Sequence, residues 1–546
     1  MSGEAVLPRL TWIDLPGDGG ERSGHCDSGW GNLARELERI VRLADVNICI
    51  LYNRLPMNRA RTRTFALLAA VLFLPLAVFA QDATPVMQQA LKADSPLQEN
   101  LRKLTDEVGG RVPGTAAFTA AVQWGIAGFK AAGADSVHVE EFTIPQSWAE
   151  GATQVEVVSP VKWRLFAHSI AWGPVLKPTT ARVVDVGMGK PEDFAKAGNI
   201  SGAIVLAHSV VLKTWDDLFD EYFRAPGIIQ QAVKGKAIAI AFESSREHDI
   251  LYRHINSQTG HIDVIPQVLL AREDAERVAR LIAHGEKVEM SVSMPNIVGP
   301  TITTSNVIAD IKGSELPDEV VMIGAHLDSW ELGTGALDNG CNAALVIDTL
   351  RAIKAADVRP RRTIRFVLYS GEEQGLLGSW AYVRAHQKDL DNIVAELVLD
   401  EGSGPVTGFS TGGRKDIDAA VTPMLKPFAQ WKAAELTNDA MTGTDHYDFM
   451  IEGVPTLVAN QAEANYLVNY HATSDTYDKV DFAQLKKNEA MAAELLVRMA
   501  NAPQRIGPRW TRAQIQASFA ETHLDEQMKG FGMWEDWQSG KRGRKQ

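Results

Sequence analysis

The stretch that most constrains this chain is VVMIGAHLDSWELGTGALDNG, residues 320–340. Its first four residues are an apolar run that suits a strand buried on both faces. His326 and Asp328 follow at once, then a Gly-rich turn (Gly333, Gly335) and Asp338. Open α/β sheets place their chemistry just beyond the carboxyl ends of such strands. In extended backbone, residues two apart point the same way. Asp328 is therefore expected to reach back to the His326 imidazole and fix its tautomer, leaving the other ring nitrogen for a metal. Leu345, Leu350 and Ile353 predict a helix over 341–356. Taken alone, the stretch fits a stabilising His–Asp pair in a strand-to-loop turn equally well.

At 546 residues the chain exceeds one typical core and predicts two domains, one inserted in the other. A formal charge of −13 argues against nucleic acid or an anionic membrane surface as partner. Near the N-terminus, three arginines within residues 58–64 precede an apolar run over 65–80, which supplies small residues at Val78 and Ala80 just before Gln81. That is the layout of a secretory signal peptide at 57–80, with Met57 as its start. The run is shorter than the ~20 residues a spanning helix needs. The expectation is an exported protein, periplasmic or extracellular, with no stable membrane insertion after cleavage. Residues 1–56 then read as a non-native upstream extension. Of the three cysteines only Cys341 lies beyond this segment, so no internal disulfide is expected. Cys341 reads as a small apolar residue at a buried helix start.

The first catalytic part is expected over 81–150, with a helix at 115–132 and a strand at 136–144. From 151 to 298 short strand-like runs (154–158, 181–186, 203–207, 237–241) alternate with Gly- and Pro-containing turns, and one helix follows at 272–284. The sequence shows no dense cluster of acidic residues and histidines there, and the segment reads as a β-rich inserted domain. Over 299–505 the pattern alternates, with strands at 306–311, 320–323, 363–369, 395–399 and 456–459 and a closing helix at 482–499. This predicts an α/β fold, a central mixed sheet sandwiched by helices. Residues 506–546 read as a polar, solvated tail.

A second signal is TIRFVLYSGEEQG, residues 363–375. A strand ends at Ser370, and Glu372 and Glu373 are expected to open the next helix. Adjacent helical residues diverge by about 100°, so one glutamate can hold a metal while the other faces a water as general base. Acidic residues also favour helix N-termini for dipole reasons alone. A third strand ends in Asp400 and Glu401, and a fourth leads to Tyr470, His471 and Asp475. Singly these are unremarkable. Together, four strands each deliver a His, Asp or Glu near the same edge, and two histidines with four carboxylates suit zinc.

The segments at 324–340, 370–375 (SGEEQG), 399–404 (LDEGSG), 443–449 (GTDHYDF) and 470–476 (YHATSDT) resemble the co-catalytic zinc exopeptidases of the aminopeptidase and glutamate carboxypeptidase family, and most closely its carboxypeptidase Q branch. The resemblance covers most of residues 95–500, including an inserted protease-associated-type domain. It implies two Zn2+ ions bridged by Asp338, one also held by His326 and Asp400 and the other by Glu373 and His471. Glu372 would be the catalytic base and Asp328 the residue orienting His326, with Asp445 and Asp475 as supports. Asp400, rather than its neighbour Glu401, takes the acidic ligand's place. The implied substrate is a dipeptide or short peptide, and a homodimer is the implied assembly. A broad aminopeptidase is the near alternative. A metal-free binding homologue would lack ligands that are all present here, and a single-metal glutaminyl cyclase-like site fits the full set poorly.

Overall fold

The computed structural model describes residues 84–545, so the segments expected as upstream extension and signal peptide lie outside the described residues. Strands β1 (Ser136–Ile144), β2 (Ile302–Ile311), β3 (Leu316–His326), β4 (Arg362–Tyr369), β5 (Ile393–Val398), β6 (Val406–Ser410), β7 (Glu435–Thr437) and β8 (Thr456–Gln461) form one mixed sheet. Their order is β1-β2-β4-β3-β5-β8-β6-β7. The run β4-β3-β5-β8 is parallel throughout. All four of those strands therefore end on one edge.

Along the chain, α1 (Ala116–Ala132) precedes β1, and α2 (Trp215–Lys234) lies between β1 and β2. Helix α3 (Cys341–Ala355) follows β3, α4 (Leu377–Ala385) follows β4, and α5 (Phe482–Asn501) follows β8. Alternate strand residues feed opposite faces. Val321, Ile323, Phe366 and Leu368 share a core with Phe129 of α1, Leu345 of α3 and Leu495 of α5. Met322, Val367 and Tyr369 share another with Tyr382 and Val383 of α4. Both faces are thus covered, as the continuous apolar runs require. Cys341 is buried at the start of α3, as its neighbours dictate.

Between β1 and β2 stands a second eight-stranded sheet, whose strands all lie within residues 154–294. It has its own core around Val157, Ile204, Val268 and Met290. The single helix expected in this segment is joined by two others, Pro191–Ala197 and α2. Pro226 inside α2 obscures it in the sequence, because proline usually breaks a helix interior. The start signal was nevertheless there: Thr214 Oγ1 accepts the Asp217 amide, and Asp217 accepts the Thr214 amide at 2.9 Å. The reading that this segment holds no acidic–histidine cluster also fails in space. Asp185, His208 and Glu243 meet at the ends of three adjacent parallel strands.

Residues 506–546 are not a solvated tail. They form α6 (Arg512–Thr522), α7 (Leu524–Gly530) and α8 (Trp534–Ser539). Ile515, Phe519, Met528 and Trp537 are buried against Tyr447 and Ile451. Each such side chain gains about 1.5–3 kcal/mol from leaving water. Buried Arg542 then closes a two-pronged pair on Asp448, both bonds at 2.8 Å. Apolar residues spaced about four apart carried this signal beneath a polar composition.

Candidate metal centre

His326 ends β3, buried behind Val321–Ala325. Its Nδ1 lies 2.9 Å from the Asp328 carbonyl, which can only accept, so Nδ1 carries the proton. His471 is set the same way, with Nδ1 donating to the Arg253 carbonyl at 2.9 Å. Both Nε2 atoms are therefore presented to the cavity. His326 Nε2 stands 3.0 Å from Asp400 Oδ1, 3.2 Å from Asp338 Oδ1 and 3.9 Å from Glu372 Oε2. His471 Nε2 stands 2.8 Å from Glu373 Oε2 and 3.3 Å from Asp338 Oδ2. Asp338 thus offers one oxygen to each histidine.

Two expectations need correction. The Asp328 carboxylate does not hydrogen-bond His326, whose Nδ1 is 3.9 Å from Oδ1. It accepts instead from the amides of Glu372 (3.3 Å) and Glu373 (3.4 Å), so it shapes the turn that carries both glutamates. The backbone carbonyl beat the carboxylate to the ring because it is the nearer acceptor. Nor do the glutamates open a helix. They occupy a turn after Gly371, and α4 begins only at Leu377. The turn still sends Glu372 toward His326 and Glu373 toward His471.

Asp338 is placed from behind by Asp475. Its carboxylate accepts from the amides of Ala336 (3.1 Å), Leu337 (2.7 Å) and Asp338 (3.1 Å). Gly335, at φ +59°, allows the turn, and a Cβ there would lie 2.3 Å from Ser329 Cβ. Arg111, fully buried, donates to the carbonyls of Leu327 (2.5 Å), Thr334 (2.9 Å) and Gly335 (2.9 Å). It ties the end of β3 to the Asp338 loop. Sequence reading passed over it, although an arginine inside the Gly/Pro turn 109–114 was the visible clue. Arg253 was missed too, with no linear signal. Its guanidinium joins Glu150 (2.6 Å) and Glu331 (2.5 Å) while its carbonyl orients His471. Tyr470 stacks on the His471 ring at 3.7 Å between centroids. Asp445 is buried beside the site, and neither carboxylate oxygen has a hydrogen-bond partner. Glu401 lines the same cavity and accepts the Gln461 amide at 3.1 Å.

The electrostatics call for cations. Burial pushes Glu372 well above the ordinary carboxylate range and raises Asp400 as well. Burial, with Asp338 close by, lifts Glu373 to about 7. Burial would lower His471, but Glu373 and Asp338 raise it to about 9. Among the described residues the lining contains no Lys or Arg. Even two imidazolium ions would leave the four carboxylates in excess. Glu373 Oε1 and Asp338 Oδ2 make no hydrogen bond, a costly state for buried oxygens. His326, Asp338 and Glu373 bring one donor atom each within 4.8 Å of one another. Imidazole nitrogens and carboxylates with spare lone pairs are a donor set that fits zinc.

Above these donors the cavity is walled by Trp215, Phe219 and Tyr222 of α2, by Tyr466 and Tyr470, and by Phe531 and Met533 from the C-terminal segment. Among the described residues, no helix is long and apolar enough to cross a membrane.

Residues 306–496 match the model of Peptidase family M28. Carboxypeptidase Q of Xenopus laevis is 28% identical over 393 residues, covering 70% of this chain and 81% of the relative. The Homo sapiens carboxypeptidase Q is 27% identical over 406 residues, covering 74% and 84%. Among solved structures, the Peptidase M28 precursor from Shewanella amazonensis aligns at TM-score 0.70 and 28% identity, over 78% of this chain and 98% of that one. BSAP, a zinc aminopeptidase from Bacillus subtilis, shares the fold at TM-score 0.60 and 19% identity, over 76% and 97%.

Proposed function

We propose that this zinc metallopeptidase, which matches Peptidase family M28 over residues 306–496, is an exported exopeptidase that binds two zinc ions and hydrolyses dipeptides or short peptides. The observation that carries the two-ion reading is Asp338, whose oxygens face different histidines. His326 and Asp400 would complete one ion's protein ligands, and Glu373 and His471 the other's. Bound zinc supplies acidity to a coordinated water and polarises a peptide carbonyl.

The chain's own residues do the rest. Glu372 is the one carboxylate of the four not needed as a ligand. Held by its amide on Asp328, it takes the proton of the attacking water on its carboxylate and returns it to the departing amine nitrogen. The buried Nδ1 bonds of His326 and His471 keep both Nε2 lone pairs directed at the ions. Aromatic walls from α2 and the C-terminal helices exclude water, which strengthens each charge interaction inside. In the same reading residues 57–80 export the chain, and 151–298 form an inserted domain that supplies α2 and Arg253.

The test is metal content beside turnover. Purified protein should hold two zinc ions per chain. Glu372→Gln should keep them while kcat falls about 10³-fold, the scale of a lost general base. Near-normal turnover in the zinc-loaded variant would remove Glu372 from the role.

A further inference from the structure

The catalytic cavity opens into a larger groove, and the two share the side chains of Tyr222, Ile255, Gln258, Phe531 and Met533. Their charges are opposed. Five carboxylates line the cavity (Asp338, Glu372, Glu373, Asp400 and Glu401), with no Lys or Arg. The groove is lined by Lys234, Arg384, Lys529, Lys541 and Arg542, against only Asp263 and Asp536. That excess is notable on a chain of net charge −13.

Part of this positive charge is internally paired. Arg542 is spent on Asp448, Lys529 reaches Asp525 at 2.6 Å, and Lys541 reaches Asp536 at 2.9 Å. Lys234 and Arg384 are different. Both are exposed and neither makes an ion pair among the described residues. Arg384 lies over the Trp380 ring at 5.0 Å, and Lys541 and Arg542 flank the same ring at 5.4 and 4.9 Å. The groove therefore presents cations around an aromatic floor, which is what a carboxylate-bearing chain needs.

We propose that peptides enter amino-terminus first and that this groove holds acidic residues downstream of the scissile bond. The proposal rests on the exopeptidase reading above. With two zinc ions balancing Asp338, Glu372, Glu373 and Asp400, the carboxylate left in the cavity for a substrate α-ammonium is Glu401. Glu401 is free for it, since it is no ligand there and one of its oxygens accepts only the Gln461 amide. A substrate carboxylate finds no Lys or Arg until it reaches the groove. Glu401 at the inner end and the unpaired cations Lys234 and Arg384 in the groove orient a peptide before it docks. The direction is that of an aminopeptidase, and the preference is for peptides longer than a dipeptide with acidic residues beyond the second position.

The experiment uses the zinc-loaded full-length enzyme and four peptides: Ala-Ala-Glu-Glu, Ala-Ala-Gln-Gln, Ala-Ala-Lys-Lys and N-acetyl-Ala-Ala-Glu-Glu. Products are identified by mass. Expected are release of the amino-terminal alanine, no cleavage of the acetylated peptide, and kcat/KM for the Glu peptide about tenfold above the Lys peptide at low salt. The gap should close near ~0.5 M NaCl, where exposed charges are screened. In the double variant Lys234→Glu/Arg384→Glu the Glu-to-Lys ratio should fall at least about fivefold. Release of the carboxyl-terminal residue first would overturn the orientation. A ratio near one in the wild type, or one unmoved in the variant, would overturn the groove while leaving the exopeptidase intact. If the zinc-loaded enzyme cleaves none of the four but hydrolyses Ala-Ala, this proposal falls alone; if it cleaves neither, the peptidase reading falls with it.

Discussion

Two clusters in this molecule use the same side chains to opposite ends. At the edge of the catalytic sheet, His326 and His471 face Asp338, Glu373, Asp400 and Glu372. In the inserted segment, His208 faces Asp185 and Glu243, again at the carboxyl ends of adjacent parallel strands. What separates them is where the ring protons go. In the first cluster each Nδ1 is capped by a backbone carbonyl, so only Nε2 faces the carboxylates and a metal can take the place of its proton. In the second, both ring nitrogens of His208 meet carboxylates, Nδ1 at Glu243 and Nε2 at Asp185 (3.1 Å). Such a ring is an imidazolium with two donors and nothing left to bind an ion. Arg272, 3.1 Å from Glu243, completes the balance. The catalytic cluster has no such arginine in its cavity, and its excess negative charge is what a metal neutralises. Residue type alone does not make a metal site; uncompensated lone pairs do.

The largest effect that can break this comparison comes from Asp338. Asp338→Ala removes an oxygen from each histidine's neighbourhood at once, so both zinc ions and all measurable turnover should be lost. Metal analysis after dialysis checks it. Retention of two ions per chain would mean that Asp338 is not shared. The counterpart substitution Asp185→Ala should leave zinc content untouched.

A smaller effect tests whether the Asp338 loop is held from behind. Asp475→Asn replaces one acceptor oxygen with a donor that faces the amides of residues 336–338. Loss of such outer contacts typically weakens metal binding 10–100-fold. Competition with a chelator should therefore show weaker zinc affinity of about that size, while kcat at saturating zinc changes less. Unchanged affinity would make Asp475 a fold residue only.

How much of this was legible in the sequence follows the same division. His326, Glu373 and Asp400 lie shortly past apolar runs that end on one sheet edge, so strand patterning brought them near one another. His471 follows β8 only after a loop and a short helix and is assigned through the family resemblance. The walls were not legible. Helix α2 hides behind Pro226, and the C-terminal helices hide their apolar residues among charges. Arg111 and Arg253 act through backbone carbonyls and long-range pairing, which no local pattern records. The Asp328 error has the same origin: spacing gave the direction of its side chain but not the competing acceptor two residues from the ring.

The smallest effect concerns pH and the inserted cluster. Asp185, with Glu243 on the other ring nitrogen, lifts His208 to about 10, overcoming the opposing effect of burial. A group whose folded value exceeds its unfolded value of about 6.5 gives its full stabilisation below that lower value. It gives that up as pH rises through the folded one. The inserted segment should therefore lose stability between about pH 6.5 and 10, as Asp185 and Glu243 are left facing a neutral ring. His208→Asn should cost about 2 kcal/mol at pH 7, the scale of hydrogen bonds to charged groups. It should also flatten the fall in Tm across that window, with zinc content unaltered. A variant whose Tm still drops with wild-type steepness would place the titrating group elsewhere, and one that lost zinc would erase the distinction between the two clusters.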